Sequence, residues 1–222
     1  MRACGGGELY VRPGSSDLLN AIAYYSEGSE LPPPGVESPR TVVELGANCG
    51  VSLTALAFNF PEARLLGAEA DAGNAAAAQH NLARFGERAT IVQAAIWDES
   101  AELVVDTSAQ AGEHGFLVRP AESGDPASFE RLRGMTIDDL LDHHLPGDEP
   151  IDYLHVSIEG SEPRVFAAGG RWVSRVRSLR VELHPYFGFD AERCIELLED
   201  LGFRAHEADR PPETWVFGYA RD

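Results

Sequence analysis

The sequence contains no lysine. All 18 of its basic residues are arginine, against 36 acidic ones, for a formal net charge of −18. Without lysine there is no Schiff-base or pyridoxal-phosphate chemistry through a chain amine, and no Walker-type phosphate lysine. The acidic excess opposes nucleic-acid backbones and anionic lipid surfaces, so neither nucleic acid nor membrane is expected as a partner. Cysteine is scarce: Cys4, Cys49 and Cys194 are three, odd in number and widely spaced. That excludes a disulfide framework and a CxxC zinc site, and fits reduced thiols in the cytoplasm. No apolar run approaches the ~18 residues that would suggest a membrane span. The opening stretch MRACGGGELYVRPGSSD has no apolar run after its arginine, so no secretory leader is expected. HxH, HExxH and clustered Asp/Glu/His ligands are missing, and His143-His144 lacks partners at helical spacing, so no metal is expected.

What is present is a regular alternation over 222 residues, a length that suits one domain. Segment 1–40 reads as an N-terminal arm. It carries Leu18, Leu19, Ile22, Ala23 and Tyr25 at helical spacing after an N-cap at Ser16 or Asp17, and ends in the linker Leu31–Gly35. From Thr41 to Asp222 short apolar strands alternate with amphipathic helices. Strands are expected at 41–45, 63–69, 89–96, 151–158, 177–184, 203–208 and 214–220, with short strand-like runs at 102–106 and 115–119. Helices are expected at 51–59, 72–85, 136–144, 161–168 and 191–201. Residues 120–133 read as a polar stretch. This pattern predicts a single α/β domain, with a mostly parallel seven-stranded sheet and an antiparallel last strand after the short loop 209–213. In such sheets ligands gather at the carboxyl ends of the strands, at the topological switch point.

The first strand ends in Glu44-Leu45-Gly46-Ala47-Asn48-Cys49-Gly50. Gly46 suits a tight turn and a close ligand approach, and Gly50 lies beside a helix N-terminus. The spacing is GxxxG rather than the GxGxxG of dinucleotide enzymes. Glu69, ending the second strand, sits where a carboxylate can take both hydroxyls of a ribose, and no arginine beside it suggests a 2′-phosphate.

With these residues the chain resembles the FkbM-type methyltransferases, which use S-adenosylmethionine. VVELGANCG (42–50), AEADAGNAAAAQHNL (68–82, with Asn74 and Asn81), IVQAAIWD (91–98), MTIDDLL (135–141), IDYLHVSIEGSEPRVFAAG (151–169) and VELH (181–184) look like the family's motifs, in the family's order. VRPGSSDL (11–18) is similar to an N-terminal element of the family. The resemblance implies a Rossmann-like class I methyltransferase fold. It implies that S-adenosylmethionine is held by Glu44, Gly46, Ala47, Asn48, Gly50, Val51, Ser52, Glu69, Ala70, Asn74, Ala95 and Ser157. It also implies methyl transfer, with a small-molecule hydroxyl as acceptor, in a natural-product or sugar pathway of a bacterium. Where the family has Lys and Asp in its fourth strand, this chain has His155 and Ser157, while Glu159, Gly160 and Glu162 are kept. The proton acceptor is therefore expected to be His184 first, with Glu159 orienting it or the acceptor and His155 second. Glu159 equally reads as a cap for the helix after it, and His155 as a buried structural histidine. The insert 97–133 and the arm are expected to cover the acceptor. Competing readings are a cofactor-binding protein that has lost its base, and a nicotinamide-dependent oxidoreductase.

Overall fold

The computed structural model describes residues 8–27, 31–108, 116–208 and 215–221. Cys4, Gly115 and the loop 209–213 lie outside the described residues, as do the side chains of Ala23, Tyr25 and Tyr186. The central sheet grows from β1 (Thr41–Leu45), whose β-branched residues suit a strand covered on both faces and are all buried. β2 (Arg64–Glu69) and β3 (Ala89–Gln93) follow in parallel on one side. On the other come β8 (Tyr153–Val156), β9 (Ser178–Glu182), β11 (Trp215–Ala220) and β10 (Phe203–Glu207). The order is β10-β11-β9-β8-β1-β2-β3, and β11 alone runs antiparallel to both neighbours.

Helices cover both faces. α2 (Val51–Asn59) and α3 (Ala72–Leu82) bury Leu53, Leu56, Ala57 and Leu82 against Val42, Leu65 and Tyr153. α4 (Ile137–His144), α5 (Glu162–Ala168) and α6 (Ala191–Asp200) bury Leu140, Phe166 and Leu198 against Leu45, Leu154 and Val181 on the opposite face. Side-chain caps fix three helix starts: Asp71, Thr136 and Asp190 each accept the backbone N–H three residues on.

Two expectations are corrected. The apolar run 89–96 breaks at Ala94, whose N–H donates to the Glu69 carbonyl. Its end, β4 (Ala95–Ile96), leaves the main sheet for a second one of order β4-β7-β5-β6, built with β5 (Glu102–Asp106), β6 (Leu117–Pro120) and β7 (Glu130–Met135). β7 begins inside the polar stretch 120–133, where no strand was expected. The arm forms α1 (Asp17–Glu27), but with Asp17, Ala21 and Tyr24 buried and Leu18, Leu19 and Ile22 more than half exposed. The inward face is set by an ion pair: Asp17 is fully buried, and both its oxygens accept from the Arg12 guanidinium.

Candidate active site

Strand order reverses direction between β1 and β8, so their following loops diverge and leave a crevice. A cavity of about 230 Å³ opens there, over the carboxyl ends of β1, β2, β8 and β9. Its walls also include Asn20 and Tyr24 of the arm, Phe116 just before β6, and Val118 of β6. Four glutamates line it, Glu44, Glu69, Glu159 and Glu182, and no arginine does among the described residues. Such a wall offers no cation to pair with a phosphate.

Of the twelve residues expected at the cofactor, eleven line this cavity; Gly50 does not. Gly50 caps α2 at φ 76°, and a Cβ there would meet the Ala78 backbone at 2.8 Å. It is needed for helix-to-helix contact. Gly46, at φ 88°, makes its close approach to the chain itself: a Cβ would stand 1.7 Å from the Ser157 carbonyl oxygen. The glycine therefore joins the two halves of the sheet at the crevice, rather than clearing space for a ligand as the sequence suggested. Between them Asn48 holds a left-handed backbone (φ 47°), and its side-chain oxygen accepts the Cys49 N–H. Non-glycine residues in this region cost of order 1–3 kcal/mol and cluster at functional sites.

Glu69 is buried, and its oxygens accept the N–H groups of Asn48 and Asp71 at 2.8 and 2.9 Å. Burial pushes its carboxyl up to about 7, against those two donors. Glu44 lies on the cavity floor, fully buried, with Oε1 2.8 Å from Nδ1 of His155. Burial raises the Glu44 carboxyl to about 8. His155 is enclosed by the rings of Tyr153 and Trp215.

At the β8 end the chain turns sharply. Glu159 (φ 44°) and Gly160 (φ 87°) are both left-handed. Glu162 organises this turn: it accepts the N–H of Ile158 and of Gly160 and holds Nδ1 of His184 at 2.9 Å. The N-cap of α5 is Ser161, with no side-chain cap, so Glu159 does not cap the helix and is left facing the cavity. His184 sits between them, with Nε2 3.4 Å from the Glu159 carboxylate. Desolvation works against its charge, but the two carboxylates outweigh it and raise the imidazole to about 10. His184 therefore carries its proton through neutral pH, and it does not line the cavity. Ser157 lines it and donates to Glu182 at 2.7 Å. Glu182 was missed from sequence; the signal was its place at a strand end in the Val-Glu-x-His run. No group of three or more His, Cys, Asp or Glu that could hold a metal occurs among the described residues.

The sequence matches the family described as "Methyltransferase FkbM domain" over residues 44–205, nearly three quarters of its length. The chain belongs to the FkbM methyltransferase family. Its methyl donor is S-adenosylmethionine, whose sulfonium suits a wall of carboxylates. A search of the curated proteins finds no match. Solved structures share the fold at low identity. Precorrin-6y C5,15-methyltransferase from Geobacter metallireducens GS-15 aligns with TM-score 0.52 and 12% identity, over 99% of this chain and 95% of that one. The METTL16 MTase domain aligns with TM-score 0.56 and 13% identity, over 100% and 76%. The O-methyltransferase TomG from Streptomyces achromogenes, involved in tomaymycin synthesis and solved in complex with SAM, aligns with TM-score 0.50 and 13% identity, over 96% and 82%. These likenesses establish the class I methyltransferase fold. No helix of the described residues is long and apolar enough to cross a membrane.

Proposed function

We propose that this FkbM-family methyltransferase methylates a hydroxyl oxygen of a small molecule, a natural product or a sugar, in a cytoplasmic biosynthetic pathway of a bacterium. One observation carries the reading: Glu159 faces the cavity with Nε2 of His184 3.4 Å from its carboxylate. A hydroxyl needs a group that takes its proton as attack proceeds, an effect worth ~10²–10⁴-fold. S-adenosylmethionine supplies an activated methyl carried on a sulfonium. Glu69 receives the ribose hydroxyls. Gly46, Ala47, Asn48, Val51, Ser52, Ala70, Asn74 and Ala95 shape the rest of that pocket, and Gly50 fixes the helix behind it. Glu159 accepts the acceptor's proton. His184 keeps its own and positions the Glu159 carboxylate, which replaces the expected order of the two. Ser157 and Glu182 orient the acceptor hydroxyl by hydrogen bonding. The Glu44–His155 pair forms the polar floor of the pocket. The arm and residues 97–133 cover the acceptor, so residues 1–40 serve as a cap on a methyltransferase domain spanning 41–222. Support for an oxygen acceptor comes also from TomG, an O-methyltransferase of the same fold.

Two experiments test this. Calorimetry should show binding of S-adenosylhomocysteine and none of NADH; the reverse would point to a nicotinamide enzyme. Labelled methyl transfer to a panel of sugars, polyols and phenols should then show oxygen methylation. Glu159→Gln should lower that rate ~10²-fold or more while S-adenosylhomocysteine binds as before. Cofactor binding with no transfer to any acceptor would favour a non-catalytic binding protein.

A further inference from the structure

Arg12 lies outside the cavity, yet it is tied to the cavity wall. Its Nε and Nη2 grip the two oxygens of the buried Asp17 at 2.9 and 2.7 Å, and its own backbone N–H donates to Asp17 as well. The same Nη2 donates to the side-chain oxygen of Asn74 at 2.7 Å. Asn74 is buried at the start of α3 and lines the cavity. An amide whose oxygen is held by a guanidinium must turn its NH₂ the other way. The Asn74 side chain acts on Glu69, which lines the same cavity, and lowers its carboxyl against the burial that raises it. Seven residues on, two helical turns along the same side of α3, Asn81 makes a second stitch. Its amide exchanges hydrogen bonds with the backbone of Tyr10 at 2.7 and 3.0 Å and donates to the Cys49 carbonyl in the glycine loop.

We infer that Arg12 is a positioning residue of the cofactor pocket: it sets the Asn74 amide, and through it the Glu69 carboxylate, which makes residues 8–17 part of that pocket. The inference rests on the reading of Glu69 as the ribose-binding group. Without Arg12 the Asn74 amide is free to turn its oxygen toward the carboxylate, exchanging a donor for a repulsive contact. Of the charged groups around Glu69, Asp71 at the start of α3 acts on it directly, Glu44 lines the same cavity, and Glu130 of β7 accepts the neighbouring Ala72 N–H.

The test is titration of the whole chain with S-adenosylhomocysteine by calorimetry, from roughly pH 5.5 to roughly pH 9, bracketing the Glu69 value of about 7. Because Arg12→Met alone would strand the buried Asp17 carboxylate, the variant is the pair Arg12→Met/Asp17→Asn. The wild type should lose affinity as pH falls through about 7. In the pair variant that midpoint should move upward, because a carboxylate that loses a donor holds its proton more tightly. Affinity at neutral pH should then fall roughly three- to tenfold, the scale of one hydrogen bond, and return near the wild-type value at the alkaline end. In an Asn74→Ala background the pair should add nothing further. Uniform weakening at every pH would show a merely structural arm and overturn the inference. So would unchanged binding, or effects that add to Asn74→Ala. Failure of the wild type to bind, or of Glu69→Ala to weaken binding, would instead overturn the ribose reading itself.

Discussion

Replacing His184 by glutamine tests the electrostatics of the β8 turn. The wild-type imidazole is 11% exposed and lies between Glu159 and a Glu162 with no exposed side-chain surface. Moving its pKa from 6.5 to about 10 corresponds, at 1.36 kcal/mol per pH unit, to an upper bound of about 5 kcal/mol. Glu162 keeps its two backbone N–H donors in the variant, so the loss should fall short of that bound, at roughly 3 kcal/mol at neutral pH. The folded value lies above the unfolded one. The contribution is therefore present in full below about pH 6.5 and is lost as pH rises through about 10. Urea unfolding should show a His184→Gln deficit of that size at pH 7 which shrinks steadily toward pH 10. The His184 ring protons should titrate in NMR near the same alkaline value. A midpoint near 6.5, or a deficit equal at pH 7 and pH 10, would refute the reasoning. A neutral His184 would then return as a candidate base.

Glu69→Ala should weaken S-adenosylhomocysteine about tenfold or more in calorimetry, since hydrogen bonds to a charged group are worth roughly 1.5–3 kcal/mol; unchanged affinity would mean the ribose lies elsewhere. Gly46→Ala should abolish the native fold or lower stability by more than about 3 kcal/mol, because a left-handed backbone and a 1.7 Å clash with Ser157 combine there; a soluble variant with wild-type melting would contradict the local geometry. Treatment with a chelator should leave cofactor binding and methyl transfer intact; loss of activity recovered by added Mg²⁺ would require new roles for Glu159 and Glu182.

Much of the framework was legible because it depends on local pattern. β1 and α2 fall at the residues read from sequence, where a β-branched run, two glycines and a stop before Pro61 leave little choice. β7 was not legible. Its Glu130-Arg131-Leu132-Arg133 carries three charges in four residues and is only partly buried although it lies between β4 and β5, so no apolar run marks it as a strand. The break at Ala94 was hidden because both strands are apolar, and only the Glu69 carbonyl separates them. α1 reads inside out because a buried Asp17 depends on Arg12, a partner that hydrophobic periodicity cannot register. At the site, the glycine loop and strand-end acids were visible as motifs. The role of His184 was not, since its protonation is decided by Glu159 and Glu162 together, whose placement follows from the left-handed turn at Glu159 and Gly160 rather than from spacing along the chain.

The placement of β11 bears on how the chain can be assembled and cut. It comes after β10 in sequence but lies between β10 and β9, with antiparallel neighbours on both sides. On a nascent chain, β9 therefore waits with an open edge while β10 has no sheet to join, until residues 215–220 arrive and wedge between them. Open edges of this kind invite pairing with other chains. The same wedge carries Trp215, whose ring covers His155 beneath the cavity. A protease nick between β10 and β11 would leave all the strands present, whereas a stop before Trp215 would free two strands and uncover the floor of the active site. Losing the final strand should cost both solubility and methyl-donor binding, although no residue of β11 lines the pocket.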